Sequence, residues 1–312
     1  MMLRPFVLTA VLGAFASAAL PARAALVCEA DIVSLDFGLI SGRDGTSQQT
    51  SGPVTISCSG GTPGATALAC AMIGAGSGGS GPGQTPRYMT GDGTAPLEYH
   101  LTTQNTISGG GSTWETVGFT IPLDGTGSGT IAPTLYAEVT SIGSQATIGS
   151  YTSRFEAGGD VRLDYGEAEC SQLGTASSFT VRANVTASCT VSVSDMNFGV
   201  IDAAVEAPVD QTATITVSCT NASAYTVGLD HGRQPMGFGP SGRRMANGGN
   251  VLAYGLYHDA SHTLSWGMGA GTVAAGRGTG GNQTLAVFGR ILAIQQAMVG
   301  TYTDTVVVVV SY

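Results

Sequence analysis

The sequence predicts an all-β protein of two β-sandwich domains. Three observations carry that expectation: a strand-and-turn composition, an internal repeat spanning most of the chain, and six cysteines whose spacing follows the repeat.

Composition comes first. Only 11% of the 312 residues are charged, glycine is abundant at 47, and all twelve basic residues are arginine. Low charge with much Gly, Thr, Ser and Val suits short strands joined by turns. Val54-Thr55-Ile56-Ser57-Cys58, Ile215-Thr216-Val217-Ser218-Cys219 and Phe179-Thr180-Val181-Arg182-Ala183-Asn184-Val185 all alternate apolar with polar or small side chains. That period of two places one face on a core and the other in water. A net charge of −9 argues against nucleic acid or an anionic membrane as partner, because both require basic patches.

The N-terminus reads as a signal peptide. Arg4 supplies a short positive region, residues 6–20 are small and apolar, and Pro21-Ala22-Arg23-Ala24 is a small-x-small cleavage site, so residues 1–24 are expected to leave and Ala25 to begin the mature chain. The apolar run is too short to anchor in a membrane. Behind such a leader, Cys28, Cys58, Cys70, Cys170, Cys189 and Cys219 read as disulfides. No C-x-x-C or paired histidine completes a metal site, so no metal and no cofactor is expected.

The repeat then orders the chain. Cys28 to Cys58 and Cys189 to Cys219 are both thirty positions apart, and sliding the chain by 161 lays Phe37-Gly38-Leu39-Ile40 on Phe198-Gly199-Val200-Ile201. With small gaps Leu97-Glu98-Tyr99-His100-Leu101 falls on Leu252-Ala253-Tyr254-Gly255-Leu256, Trp114 on Trp266, Gly149-Ser150-Tyr151-Thr152 on Gly300-Thr301-Tyr302-Thr303, and Tyr165 on Tyr312. A repeat this long implies two whole sandwiches, not a short-period solenoid. The expected domains are residues 25–166 and 179–312, with 167–178 a linker. Each matched cysteine pair would close a loop of thirty residues, a cross-link that contributes about 3–4 kcal/mol. Cys70 and Cys170 would form a third bridge in the first domain.

Residues of the second domain also carry a family resemblance. Asn197-Phe198-Gly199, Ile215-Thr216-Val217-Ser218-Cys219-Thr220, Leu252-Ala253-Tyr254-Gly255-Leu256-Tyr257, Gly289-Arg290-Ile291 and Gly300-Thr301-Tyr302-Thr303-Asp304-Thr305-Val306 follow one another at fitting distances, and together resemble a spore coat protein U domain. The first domain is similar but diverged, without the Gly-Arg motif and with longer loops. Proteins of this family include subunits of archaic chaperone–usher pili of the Csu type. The resemblance implies an immunoglobulin-like, pilin-type sandwich that lacks its final strand and is completed by a neighbour's strand. It implies a tip adhesin with a periplasmic chaperone, an outer-membrane usher and an adjacent pilin as partners, secreted through the periplasm to the cell surface, attaching to an abiotic or host surface and supporting biofilm. A structural coat protein is the alternative. Only Ala25, Leu26 and Val27 precede Cys28, which leaves little to donate and favours the tip. The five valines at 306–310 read as a strand buried on both faces. An open groove is expected there, with Val306, Val308, Val310 and Tyr312 facing chaperone or donor strand. Residues 179–185 could either fold back to complete the first domain or open the second.

Surface contact would fall to apolar residues in stretches expected to be loops: Leu68, Met72 and Ile73; Phe119, Ile121 and Leu123; and Ile142 with Ile148. A sugar-stacking group of Trp114, Tyr88 and Asp92 is weaker, because Trp114 repeats as Trp266. Catalytic signals are thin. His258 and His262 lie four apart but in hairpin territory, two Gly-rich runs at 74–79 and 276–281 match G-x-G-x-x-G without a following helix, and no G-x-S-x-G elbow occurs. A non-enzymatic protein is expected.

Overall fold

The computed structural model describes residues 25–41, 47–91, 95–105, 112–140, 142, 146–234 and 242–312, so the expected leader lies outside the described residues. Alternating side chains form strands throughout. In order these are β1 (Val27–Ile32), β2 (Leu35–Ser41), β3 (Gln48–Ser59), β4 (Thr66–Ile73), β5 (Arg87–Gly91), β6 (Leu97–Thr102) and β7 (Thr116–Pro122). There follow β8 (Gly129–Ile131), β9 (Thr134–Val139), β10 (Gly149–Phe155), β11 (Val161–Gly166), β12 (Gln172–Leu173), β13 (Thr175–Ala176) and β14 (Phe179–Thr186). One sheet runs β13–β1–β3–β9–β6–β5–β10–β14–β2, with β8 on β3, and the other runs β12–β11–β4–β7. Ile56, Ile73, Tyr99, Trp114, Tyr151 and Phe155 are among the buried side chains of their shared core.

The second unit repeats this plan with fewer strands: β15 (Cys189–Val193), β16 (Ala204–Val205), β17 (Val209–Cys219), β18 (Ala224–Leu229), β19 (Arg243–Asn247) and β20 (Asn250–Tyr257). β21 (Ala274–Arg277), β22 (Asn282–Ile291), β23 (Gln295–Gln296) and β24 (Val308–Ser311) complete it. Its sheets run β15–β17–β22–β20–β19 and β21–β18–β24, with a β16–β23 ribbon beside them. A separate core gathers Ile215, Val217, Val227, Leu252 and Trp266. The protein is thus all-β, built from two sandwiches.

All six cysteines pair. Cys28–Cys58 and Cys189–Cys219 join directly opposed residues of neighbouring antiparallel strands, each with Cα atoms 4.1 Å apart. Cys70–Cys170 closes a loop of 100 residues and ties β4 to the segment after β11. In the chain-entropy account a loop that long restricts the unfolded chain most, by about 4–5 kcal/mol.

The segment with two open readings belongs to the first sandwich. β14 pairs antiparallel with β10, Phe179 opposite Phe155 and Val185 opposite Gly149, and parallel with β2, Val181 beside Leu35 and Val185 beside Ile40. Phe179, Val181, Ala183 and Val185 all enter the first core, where Phe179 stacks on Phe155 at 4.4 Å. The stretch expected as a linker carries β12 and β13, which pair with β11 and β1. The expected divisions at residues 166 and 179 therefore fall inside the first sandwich, which runs on to Thr186. The reason is tertiary: β2 and β10 leave a strand-wide gap between them, and the nearest alternating segment fills it.

A second correction concerns residues 306–310. They do not form a strand buried on both faces. β24 is the edge of its sheet, Val307 is 52% exposed, and Val306, Val308 and Val310 are half-buried against the core.

One feature of both sandwiches escaped the sequence comparison. Arg87 and Arg243 are wholly buried. Arg87 donates from Nε to the Gly74 carbonyl and from Nη2 to those of Ile73 and Trp114, at 2.6–2.8 Å. Arg243 makes the same three bonds to Asp230, Leu229 and Trp266, at 2.8–3.0 Å. Each guanidinium gathers carbonyls from two chain segments that meet beside the sandwich, so a buried charge is matched by fixed dipoles. Burial lowers the Arg87 pKa to about 10, which leaves it charged at neutral pH.

Candidate functional site: an open strand position in the second sandwich

The repeat locates the site. Residues 196–202 correspond to β2, and residues 300–306 correspond to β10 through the Gly-x-Tyr-Thr match. In the first sandwich β14 lies between these two segments and pairs with both. In the second, neither segment is in a strand, and no described residue pairs across the gap. The outer side of residues 300–306 is nonetheless fixed as in the first domain: Thr303 exchanges both backbone hydrogen bonds with Ala246 of β19, much as β10 pairs with β5.

A cleft of ≈ 430 Å³ opens where the strand is missing. Its walls are Met196 and Phe198 on one side and Tyr302, Val306 and Val308 on the other, over a floor that includes Ile215 and Leu256. The lip is already shaped. Asn197 Oδ1 accepts from the Gly199 amide at 2.8 Å, as Asp36 Oδ1 accepts from Gly38 at 2.8 Å. Gly199 and Gly38 take φ of 77° and 68°, values an L side chain resists. In the first domain that turn produces the bulge in the β14–β2 ladder between Arg182 and Asn184.

The Asp304 carboxylate in the cleft wall is engaged. Asp304 accepts from Tyr254 Oη at 2.6 Å and from the amides of Arg233 and Thr305 at 2.8 Å. Burial and this carboxylate push the Tyr254 phenol well above its usual range. Asp304 takes the place that Ser153 holds in the first domain, so the second groove has an acidic wall where the first has a hydroxyl.

Of the residues expected at the groove, Val306 and Val308 line the cleft, Val310 packs on the core from β24, and Tyr312 is 61% exposed. Met196, Phe198, Tyr302 and Asp304 were not anticipated there. The signal was present, since Met196 falls on Leu35 and Tyr302 on Tyr151, two residues that flank β14.

The expected contact loops are corrected by the structure. Leu68, Met72 and Ile73 lie in β4, and Phe119 and Ile121 in β7. Ile73, Ile121 and Leu123 are core residues, while Phe119 and Ile142 are half-buried against it. Leu68 and Met72 are half-buried on the opposite face of β4, beside Cys70, and Ile148 is 40% exposed. These apolar runs are apolar because strands pack there. Trp114 is likewise in the core, and Asp92 lies outside the described residues. His258 stacks on Trp266 rather than facing His262 across a metal site. Among the described residues no group of His, Cys, Asp or Glu is placed to hold a metal.

Comparison with known proteins accords with this fold. The Spore Coat Protein U domain model matches twice, over residues 14–157 and 175–309. The Protein U of Myxococcus xanthus is 29% identical over 144 residues, covering 42% of this chain and 80% of that protein. Among solved structures, a chain of the CsuC–CsuE chaperone–tip adhesion subunit pre-assembly complex, from archaic chaperone-usher Csu pili of Acinetobacter baumannii, superposes with a TM-score of 0.52. It is 16% identical, and the match covers 92% of this chain and all of that one.

Proposed function

The chain belongs to the Spore Coat Protein U domain family, a family of structural rather than catalytic proteins, and from that premise we propose that it is an adhesive subunit of a cell-surface pilus. Its second domain accepts a strand from a neighbouring pilin, and before assembly a periplasmic chaperone covers the same groove on the way to an outer-membrane usher. One observation carries this: a single strand, β14, fills the first domain's gap, while the matching gap in the second is an open cleft floored by apolar side chains. An uncovered edge and groove of this kind invite aggregation unless another strand covers them.

The tip position is part of the proposal. Because the first groove is filled from within, the described residues offer one acceptor site, on the second domain. The first domain is left free to meet an abiotic or host surface, and Leu68 and Met72 on its outer face are the candidates for that contact.

The test uses a synthetic peptide of the sequence Phe179–Thr186, whose four alternate apolar residues already fit one such groove. Added to the full chain, it should raise the unfolding temperature reported by Trp266, and Met196→Asp should abolish the rise. A Trp266 transition that ignores saturating peptide would overturn the reading. A coat protein, the alternative that the family's description suggests, should instead be fully stable without any added strand.

A further inference from the structure

The junction between the two sandwiches of this chain is itself an example of a filled groove meeting the body that supplies the strand. β14 leaves the first groove beyond Ile40 and Gly149, its partners at Val185. After two intervening residues, Ala187 and Ser188, Cys189 begins the second sandwich. Ser188 is clamped there by Thr220, whose amide donates to the Ser188 carbonyl at 2.9 Å and whose Oγ1 accepts from the Ser188 amide at 3.1 Å. At the same place Thr147, just ahead of β10, bridges in parallel to Asn221 in the turn after β17. The rim of the filled groove thus touches the donor's body at the turn beside its disulfide.

The Gly-x-Tyr-Thr match puts Met298 at the position of Thr147 and Val299 at that of Ile148, and the Phe-Gly match puts Val200 at that of Leu39. Around the open groove these positions are more exposed than around the filled one, where Ile148 is 40% and Leu39 70% exposed with the second sandwich in place. Met298 is 65% exposed, Val299 and Ile294 are more than 90% exposed, and Val200 is fully so. They sit on two segments held together, since Ala297 donates to the Ala203 carbonyl and Ile294 to that of Val205. Ile294, Met298 and Val299 thus expose three large apolar side chains along one segment beside the groove, and exposed apolar surface of this kind marks an interaction site.

We infer that Ile294, Met298 and Val299 are a docking seat for the body of the strand-donating subunit, separate from the groove that takes its strand. The seat receives a turn like 220–223, which follows the disulfide strand in a second copy of this fold. The inference rests on the groove reading above, and adds to it a contact that only a whole subunit, not a bare strand, can make. A tethered strand and a seated body act together, which raises affinity beyond that of the strand alone.

Two probes separate the ideas. One is the Phe179–Thr186 peptide. The other is the same strand on its own body: a fragment of residues 175–312 whose groove is filled by a second copy of that peptide sequence appended through a flexible linker, used once its Trp266 melting transition matches that of the second sandwich in the full chain. Binding of each to the immobilised full chain is measured by biolayer interferometry. The body-borne strand should bind the unaltered chain at least ~10-fold more tightly than the peptide, as for linked contacts in general. Met298→Asp with Val299→Asp should remove that advantage and leave peptide affinity unchanged, and Ile294→Asp should reproduce the loss. Leu264→Asp, at an exposed apolar residue on a different loop, should change neither. An advantage that survives both rim variants overturns the seat, and so does a rim variant that weakens the peptide equally. If neither probe binds, the groove reading fails and the seat with it.

Discussion

Phe179→Ala in the full-length chain tests whether β14 belongs to the first sandwich. Phe179 is 2% exposed and lies face to face with Phe155, with ring centroids 4.4 Å apart and planes 3° apart. Truncating a buried phenylalanine to alanine costs about 3–5 kcal/mol, as lost transfer energy plus the cavity left behind. For a domain of about 160 residues each kcal/mol moves the melting temperature by roughly 2–4 °C, so the first sandwich should melt about 6–20 °C lower. The chain supplies its own reporters, because its two tryptophans, Trp114 and Trp266, are buried one in each core. Fluorescence melting in Trp266→Phe and Trp114→Phe backgrounds reads each sandwich separately. The Trp114 signal should shift by the full amount while the Trp266 signal moves by no more than about 1–2 °C, as expected for distant independent sites. A fall confined to Trp266 would refute the reasoning, since β14 would then be part of the second sandwich.

Two further predictions concern the second domain. Arg243→Met fills the space of the arginine but leaves the carbonyls of Leu229, Asp230 and Trp266 without their donors. It should cost about 3 kcal/mol or more, read as a lower Trp266 transition, and Arg243→Lys should recover only part of this because an ammonium lacks the planar fork. Asp210 accepts two 2.6 Å bonds from Arg290 directly across the β17–β22 ladder, and the Arg290 bond holds its carboxyl below the usual carboxylate range. A depressed folded-state pKa gives stability that is present above the unfolded value near 4 and lost as pH falls through the folded one. Asp210 is 46% exposed, so the effect is at most about 1 kcal/mol, and Asp210→Asn should flatten the acid limb of a pH–stability profile by that much.

The two histidines, the Gly-rich runs and the apolar loop candidates share a lesson. Each was a local pattern with a plausible chemistry; the first two lacked the sequence context that chemistry needs, and the apolar candidates lost to packing. Leu68 to Ile73 and Phe119 to Leu123 are apolar because they are adjacent strands of one sheet, and alternation is hard to see where alanines supply the buried face, as at Ala67, Ala69 and Ala71. Arg87 and Arg243 were invisible for the opposite reason. An isolated arginine in a strand reads as a surface residue until the carbonyls that gather on it are in view.

Repeat and cysteine spacing by themselves determined that the chain is two copies of one disulfide-braced sandwich, because matched registers, turn glycines and cystine partners are written locally. The equality of the copies was decided only in three dimensions. The alternation of residues 179–186 suits either domain, and nothing local says which gap it fills. Strand complementation depends on a vacancy between β2 and β10, and a vacancy is a property of the assembled sheet. Once β14 occupies the first one, the second remains as the open cleft between residues 196–202 and 300–306.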